Sequence, residues 1–270
     1  MAGATHRRRS VTQDGDGLLK QRCAVIVPAF NEAKVIERML DALRAQTVRP
    51  AHIFVVDNSS SDTTAAKVRR YAVAHPELVI TLLSEPQKGT GAACDTGFRA
   101  ALNAGYELLA RTDADCVPEK RWLETMLQTG AKYPAVQLFA GRLIPLHDEW
   151  YRRGDELLLS TGLGIIQSGL RLHRSDKAYK HIAIGSNLMI RAGAYESIGG
   201  FPRVAIDQKD EDIELSIRIA RQFGCDAIRY ERGAVVAVSM RRPRTQGAWR
   251  TLARHIVPQY RKRQKTHDVR

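Results

Sequence analysis

The sequence predicts an α/β fold built on a mostly parallel central sheet flanked by helices. Three observations carry this. Short apolar runs of strand length alternate with stretches of helical periodicity, the pattern of strand-helix-strand units and parallel pairing. Carboxylates stand just beyond those runs: Glu32 after Val25–Val27, Asp57 after Ile53–Val56, and Asp113 and Asp115 after Tyr106–Leu109. At 270 residues and 44% hydrophobic content, the chain has enough apolar surface to bury a sizeable core.

The first strand is Cys23–Val27, a buried run, and from Glu32 onward Val35, Ile36, Met39, Leu40 and Leu43 repeat at helical spacing. Ile53–Val56 is a second strand. Asp62 suits the cap of a helix running through Tyr71, and Val79–Leu83 is a third strand before the turn formers Glu85-Pro86-Gln87-Lys88-Gly89. A helix of small residues extends through Ala101, and the next strand leads to Asp113. Pro118 suits the first turn of a helix carrying Trp122, Leu123 and Met126. Val136–Ala140 is a further strand. The pattern then loosens through Trp150–Leu172, His181–Ile190 reads as a strand interrupted at Gly185-Ser186, Gly199-Gly200 marks a turn, and Asp210–Phe223 is an amphipathic helix opening on acids.

Charge divides the chain into a body and two ends. Of the net +13, residues 1–22 contribute +3 and residues 241–270 contribute +9, which leaves the body at +1. The expected organisation is a disordered basic arm over 1–22, a folded domain over 23–240 and a basic segment over 241–270, with an amphipathic helix around Trp249, Leu252, Ile256 and Tyr260. A nearly neutral body argues against a nucleic-acid partner, whereas the C-terminal segment suits phosphate or a peripheral anionic membrane surface. No apolar run reaches the roughly 18 residues needed to span a bilayer, and no apolar stretch follows Arg7-Arg8-Arg9, so a cytoplasmic location is expected. Cys23, Cys94, Cys116 and Cys225 are scattered without metal-ligand or disulfide spacing and are expected as reduced thiols.

The acidic strand ends suggest one shared crevice, because open α/β sheets bind ligands beyond the carboxyl ends of their strands. Asp113 and Asp115, two apart on an extended segment, direct both carboxylates the same way and call for a hard cation such as Mg2+ or Mn2+. Glu211 and Asp212 at a helix start are candidates for a proton acceptor, with electrostatic capping of the helix as the competing role.

Five segments occur in a telling order: Pro28-Ala29-Phe30-Asn31-Glu32, Asp57-Asn58-Ser59-Ser60-Ser61-Asp62, Asp113-Ala114-Asp115, Gly199-Gly200-Phe201 and Glu211-Asp212-Ile213-Glu214-Leu215. Together they resemble the family 2 glycosyltransferases, inverting enzymes of the Rossmann-like GT-A fold that use nucleotide-activated sugars. The resemblance implies a nucleotide-binding half over 23–117 and a smaller acceptor-binding half over 118–240. It places Pro28, Phe30 and Glu32 near base and ribose, and Asp57 as acceptor of a hydrogen bond from the base. It makes Asp115 the direct metal ligand, Asp113 a ribose or metal-water contact, and Asp212, with Glu211 beside it, the base that deprotonates the acceptor. Lys88 would face the nucleotide, Asn187 would sit in a sugar-facing segment, and Arg241 and Arg242 would close over a diphosphate. Asn58 stands where the family often has a second acid.

The activity so implied is metal-dependent, non-processive transfer of one sugar from a nucleotide-diphosphate donor, with a UDP-sugar favoured, to a hydroxyl acceptor. That acceptor would be a small molecule, a natural-product intermediate or a lipid-linked head group. Processive synthases of the family carry Gln-x-x-Arg-Trp and membrane helices, whereas here the nearest string is Gln246-Gly247-Ala248-Trp249-Arg250. A dehydrogenase is disfavoured because Gly89-Thr90-Gly91-Ala92-Ala93-Cys94 lacks the third glycine of a dinucleotide fingerprint. A nucleotidyltransferase and a non-catalytic anion-binding adaptor stay as alternatives.

Overall fold

The computed structural model describes residues 23–162, 183–203 and 211–246, apart from the side chains of Arg242, Pro243 and Gln246. The basic arm, His181, Asp210 and the helix expected around Trp249 lie outside the described residues. The strands are β1 (Cys23–Ala29), β2 (His52–Asp57), β3 (Ile80–Ser84), β4 (Leu108–Arg111), β5 (Cys116–Pro118), β6 (Leu138–Pro145), β7 (Leu188–Arg191) and β8 (Ile228–Val238). The helices bounded within the described residues are α1 (Ile36–Arg44), α2 (Thr64–Ala74), α3 (Thr90–Asn103), α4 (Trp122–Lys132), α5 (Ala192–Ser197), α6 (Glu211–Phe223) and α7 (Arg241–Gln246).

Among the described residues, eight strands join one sheet in the order β3-β2-β1-β4-β7-β6-β8-β5. β3, β2, β1 and β4 pair in parallel, as do β6 and β8, whereas β7 is antiparallel to both its neighbours and β5 to β8. The sheet is covered on both faces, which is why β1 reads as an unbroken apolar run. Cys23, Val25 and Val27 pack under α1, α2 and α4 with Met39, Leu40, Val68 and Trp122. Ala24 and Ile26 point the other way, towards Phe98, Tyr195, Leu215 and Ile219 of α3, α5 and α6. The small residues of α3 have a steric cause: a Cβ on Gly97 would stand 2.6 Å from Ile26 Cγ2 and 2.9 Å from Val56 Cγ2.

Two expected elements differ. The strand expected over His181–Ile190 begins only at Leu188, because Gly185–Asn187 form a 3-10 turn before it. Pro118 does not open the helix of Trp122; it ends β5, opposite Val236, and the helix starts at Trp122 itself. β5 is the last strand of the sheet, and an edge strand tolerates a residue without an amide donor. Asp62 stands one residue before the N-cap of α2, which is Thr63, and its Oδ1 accepts from the Thr64 amide at 2.9 Å. Among the described residues, no helix is long and apolar enough to cross a membrane.

Candidate active site

The parallel strands deliver their carboxyl ends to one side of the sheet, and a tight turn shapes the chain after β1 and another after β2. Asn31 and Ser59 adopt positive φ of 55° and 62°, an uncommon state for residues with a Cβ. Their loops interlock. Asn31 Oδ1 accepts from the Ser61 amide at 2.8 Å, the Glu32 amide donates to Thr64 Oγ1 at 2.8 Å, and the Ala33 amide donates to Asp62 Oδ2 at 3.1 Å. The turn after β1 is thereby fixed against the turn after β2.

Between these strand ends and α3 lies a cleft lined by Pro28, Phe30, Glu32, Asn58, Asp113 and Asp115, with Thr90 and Ala93 from the first turn of α3. Five residues expected from the sequence therefore share one cavity. Phe30 is half exposed at 50%, an unusual state for a phenyl ring and one that leaves it open to a ligand. Glu32 and Asp115 are buried. Arg241, carried on α7, donates to Glu32 Oε1 and lies 3.4 Å from Asp115 Oδ2, so the C-terminal helix reaches the acidic strand ends. α7 is itself tied down by the ion pair of Arg244 with the buried Asp155. The Arg242 side chain lies outside the described residues.

Asp57 closes β2 beside Asn58, and its Oδ1 is buried with no hydrogen-bond partner. Orphaned carboxylate oxygens are costly, and a ligand N–H would relieve this one. Asn58 has a different task from the acid it replaces. Its Nδ2 donates to Glu85 O at 3.0 Å and Gln87 O at 2.7 Å, and its Oδ1 accepts from the Gly89 amide at 2.8 Å, holding the β3–α3 loop beside the cleft. Lys88 is exposed on that loop.

Glu211 and Asp212 are joined to the doublet through a residue absent from the expected site. Arg111, at the end of β4 and only 2% exposed, donates from Nε to Asp113 Oδ1 at 3.0 Å and from Nη1 to Asp212 Oδ1 at 2.9 Å. Its Nη2 stands 3.4 Å from Glu211 Oε1. The signal lies in the sequence: an arginine inside the buried run Leu108-Leu109-Ala110-Arg111, where an unpaired charge is not tolerated. The other oxygen of Asp212 accepts from the Gly185 amide at 2.7 Å. A Cβ on Gly185 would fall 2.4 Å from both the Arg111 guanidinium and Asp212 Oδ1, so only glycine admits this approach. Burial pushes the Asp212 carboxyl up to about 7; Arg111 pulls it down, Glu211 raises it, the Gly185 amide lowers it and Asp113 raises it. A carboxylate poised near neutrality is suited to taking a proton.

Asn187 is placed differently from the other expected residues. It is 1% exposed, its Oδ1 accepts from Trp122 Nε1 at 2.8 Å, and its Nδ2 donates to Arg142 O at 2.9 Å and Ala234 O at 3.0 Å. All its polar atoms are spent on joining α4, β6 and β8, and it is not among the residues lining the cleft. The sequence could not distinguish a buried amide clamp from a sugar contact. Gly199 and Gly200 do form the expected turn, with φ of 79° and 78°.

Residues 24–199 match the sequence model of the family described as Glycosyl transferase family 2. Among curated proteins, the glycosyltransferase AglE of Haloferax volcanii is 30% identical over 190 residues, 69% of this chain and 58% of that protein. The polyprenol monophosphomannose synthase of Mycolicibacterium smegmatis is 35% identical over 168 residues, 58% of this chain and 63% of that protein. The chain spans about six tenths of the length of these relatives. A mannosyltransferase from Pyrobaculum calidifontis, solved in complex with GDP-mannose and Mn2+, superposes with a TM-score of 0.58 at 25% identity, covering 80% of this chain and 56% of that one. The architecture is that of the GT-A fold.

Proposed function

Because the chain belongs to glycosyl transferase family 2, we propose that its cleft binds a nucleotide-diphosphate sugar and transfers that one sugar, with inversion, to a hydroxyl acceptor deprotonated by Asp212. The single observation that carries this reading is the convergence of Asp113, the first acid of the doublet, and the Asp212 carboxylate on one guanidinium, Arg111. Glu211 and Asp212 are not among the residues lining the cleft, and Arg111 is what ties Asp212 to Asp113 of that lining, the proximity that displacement at a sugar carbon calls for.

In this reading Pro28, Phe30 and Glu32 face base and ribose. Asp57 meets the base edge, and its orphaned oxygen calls for a ring N–H. Uracil and guanine present one at the relevant edge, whereas cytosine and adenine present an acceptor there. Nothing in the cleft adds to the uridine preference expected from the sequence over guanosine. The first turn of α3 and Arg241 supply positive potential for the diphosphate, and Lys88 and Arg242 are further candidates for it.

The donor set suits a divalent ion of the Mg2+ or Mn2+ type. Such ions often take one or two carboxylates and complete their shell with water and substrate phosphates. Asp115 would hold it, with Asp113 as second contact, and the described residues contain no group of three or more His, Cys, Asp or Glu arranged to hold a metal alone. When bound, the ion neutralises the diphosphate and so improves it as a leaving group. The P. calidifontis mannosyltransferase, solved with Mn2+, supports a divalent ion. For the acceptor, a small molecule or natural-product intermediate is the leading class, and the basic ends fit a peripheral anionic surface that would bring a lipid-linked head group within reach.

Incubation with UDP-glucose or GDP-mannose and Mn2+, followed by phosphorus NMR of the products, tests the reading. Nucleoside diphosphate is expected, whereas pyrophosphate would transfer support to nucleotidyl transfer. Anion binding that weakens steeply with salt and survives Asp115→Ala would instead favour the adaptor reading.

A further inference from the structure

Two guanidinium-carboxylate clusters, around Arg111 and Arg241, belong to the cleft already described. A third, centred on Arg203, has no part in it. Arg203 Nη2 donates to Glu85 Oε2 at 2.7 Å, and Nη1 lies 3.3 Å from Asp95 Oδ2, 3.0 Å from Thr96 Oγ1 and 3.4 Å from Ala92 O. Nε reaches Gln87 Oε1 at 3.3 Å, while the Arg203 carbonyl accepts from Gln87 Nε2 at 2.9 Å. Both carboxylates are buried, with side-chain exposures of 5% and 1%, whereas the Arg203 side chain is 37% exposed, so the pairs are buried on the acidic side only. Asp95 also accepts from Tyr195 Oη at 2.9 Å, and that hydroxyl accepts from the Phe201 amide at 3.0 Å.

The segments this clamp holds adjoin the cleft on one side and Glu211 on the other. On the proton-accepting side, a Cβ on Gly91 would fall 2.4 Å from Pro202 O and 3.5 Å from Glu211 Cβ. Residue 202 and the start of α6 therefore lean on the same point of α3. On the nucleotide side, the loop gripped by Arg203 is the one that Asn58 holds through Glu85 O, Gln87 O and the Gly89 amide.

We propose that Arg203 is a positioning residue, pressing Pro202 onto the first turn of α3 and so fixing where Glu211 and Asp212 stand relative to the nucleotide-binding strand ends. The proposal rests on the glycosyl-transfer reading of the same cleft. Its own contacts are all to protein, so loss of Arg203 displaces the base without removing a donor contact. A misplacement near 1 Å costs on the order of 100-fold in rate.

The experiment measures GDP-mannose and UDP-glucose binding by calorimetry in Mn2+, and the slow release of nucleoside diphosphate when water serves as acceptor. For Arg203→Ala, kcat is expected to fall about 30- to 100-fold, with donor Kd within about threefold and calorimetric stoichiometry unchanged. Arg203→Lys keeps one charge without the planar fork and should recover part of the rate. Amide exchange of the ligand-free protein supplies a readout independent of activity: Gly185, Leu215 and Ser216 should exchange about tenfold faster in Arg203→Ala, with β1 and β2 unchanged. Wild-type kcat in Arg203→Ala, a loss of affinity or stoichiometry that accounts for the whole rate loss, or unchanged exchange at those three amides would overturn the proposal. If the wild-type protein bound neither sugar nucleotide, the glycosyl-transfer reading would fail, while the exchange data would still decide whether Arg203 fixes the Glu211–Asp212 corner.

Discussion

Arg111 and Asp212, 101 residues apart in the chain, meet at 2.9 Å, with the guanidinium almost wholly buried. The same guanidinium holds Asp113 at 3.0 Å, so the acid that follows a parallel strand and the acid that opens α6 are fixed against one cation.

Removing that cation should be severe. Arg111→Met leaves Asp113, Glu211 and Asp212 facing one another, with side-chain exposures of only 18–22%. Breaking a buried ion pair by deleting one partner costs about 3–5 kcal/mol. Urea denaturation should show a lower midpoint at unchanged slope. A midpoint within error of wild type would remove Arg111 from this role.

The Asp212 carboxyl titrates near 7 in the fold, above its ordinary 3.8. If it is the base, kcat should rise as pH rises towards 7 and then level off, because only the ionised form accepts a proton. Stability should run the other way. Between about pH 4 and 7 the native state keeps a proton that the unfolded chain has released, so stability declines as pH rises through that window. Asp212→Asn abolishes this term, and its Tm relative to wild type should be higher at pH 8 than at pH 5. Thermal melts at the two values check the sign.

Asp115→Ala and Arg241→Ala act on the two ends of one contact, 3.4 Å long. The first should abolish Mn2+-dependent stabilisation of the protein by a nucleotide sugar. The second should weaken nucleoside-diphosphate binding by about tenfold while leaving a nucleoside without phosphates unaffected. Equal loss for diphosphate and nucleoside would place Arg241 elsewhere than over the phosphates.

For Asp57, substitution by Asn should cost donor affinity by about 1–3 kcal/mol for uracil or guanine nucleotides and reduce discrimination against cytosine. Competition binding with UDP, GDP and CDP reads both effects. Unchanged selectivity would assign Asp57 to the turn alone.

The nucleotide-side strands are legible in the sequence because β1, β2 and β4 are buried on both faces and so read as plain apolar runs ending in polar residues. Asp113 and Asp115 are legible as acids after a strand, although they stand on a turn closed by the Cys116 amide on the Asp113 carbonyl at 3.1 Å and not on the extended segment that the spacing argument assumes, and Gly199-Gly200 is legible by the positive φ that such a turn needs. The roles that sequence alone does not reveal depend on which distant group a side chain finds. Arg111 looks like one more residue of a strand, Asn58 like a missing acid, and Asn187 like a sugar contact, until Glu211 and Asp212, the β3–α3 loop, and Trp122 with the Ala234 carbonyl come beside them. Pro118 misleads for a related reason: the chemistry that suits a helix start also suits an edge strand.

The most direct test of the central claim compares donor binding with turnover in Asp212→Asn, using the nucleotide sugar that the wild-type protein consumes. The account predicts donor affinity within about threefold of wild type and turnover reduced by about 100-fold or more, since general-base catalysis is worth on the order of 100- to 10,000-fold. Wild-type turnover in Asp212→Asn would contradict it.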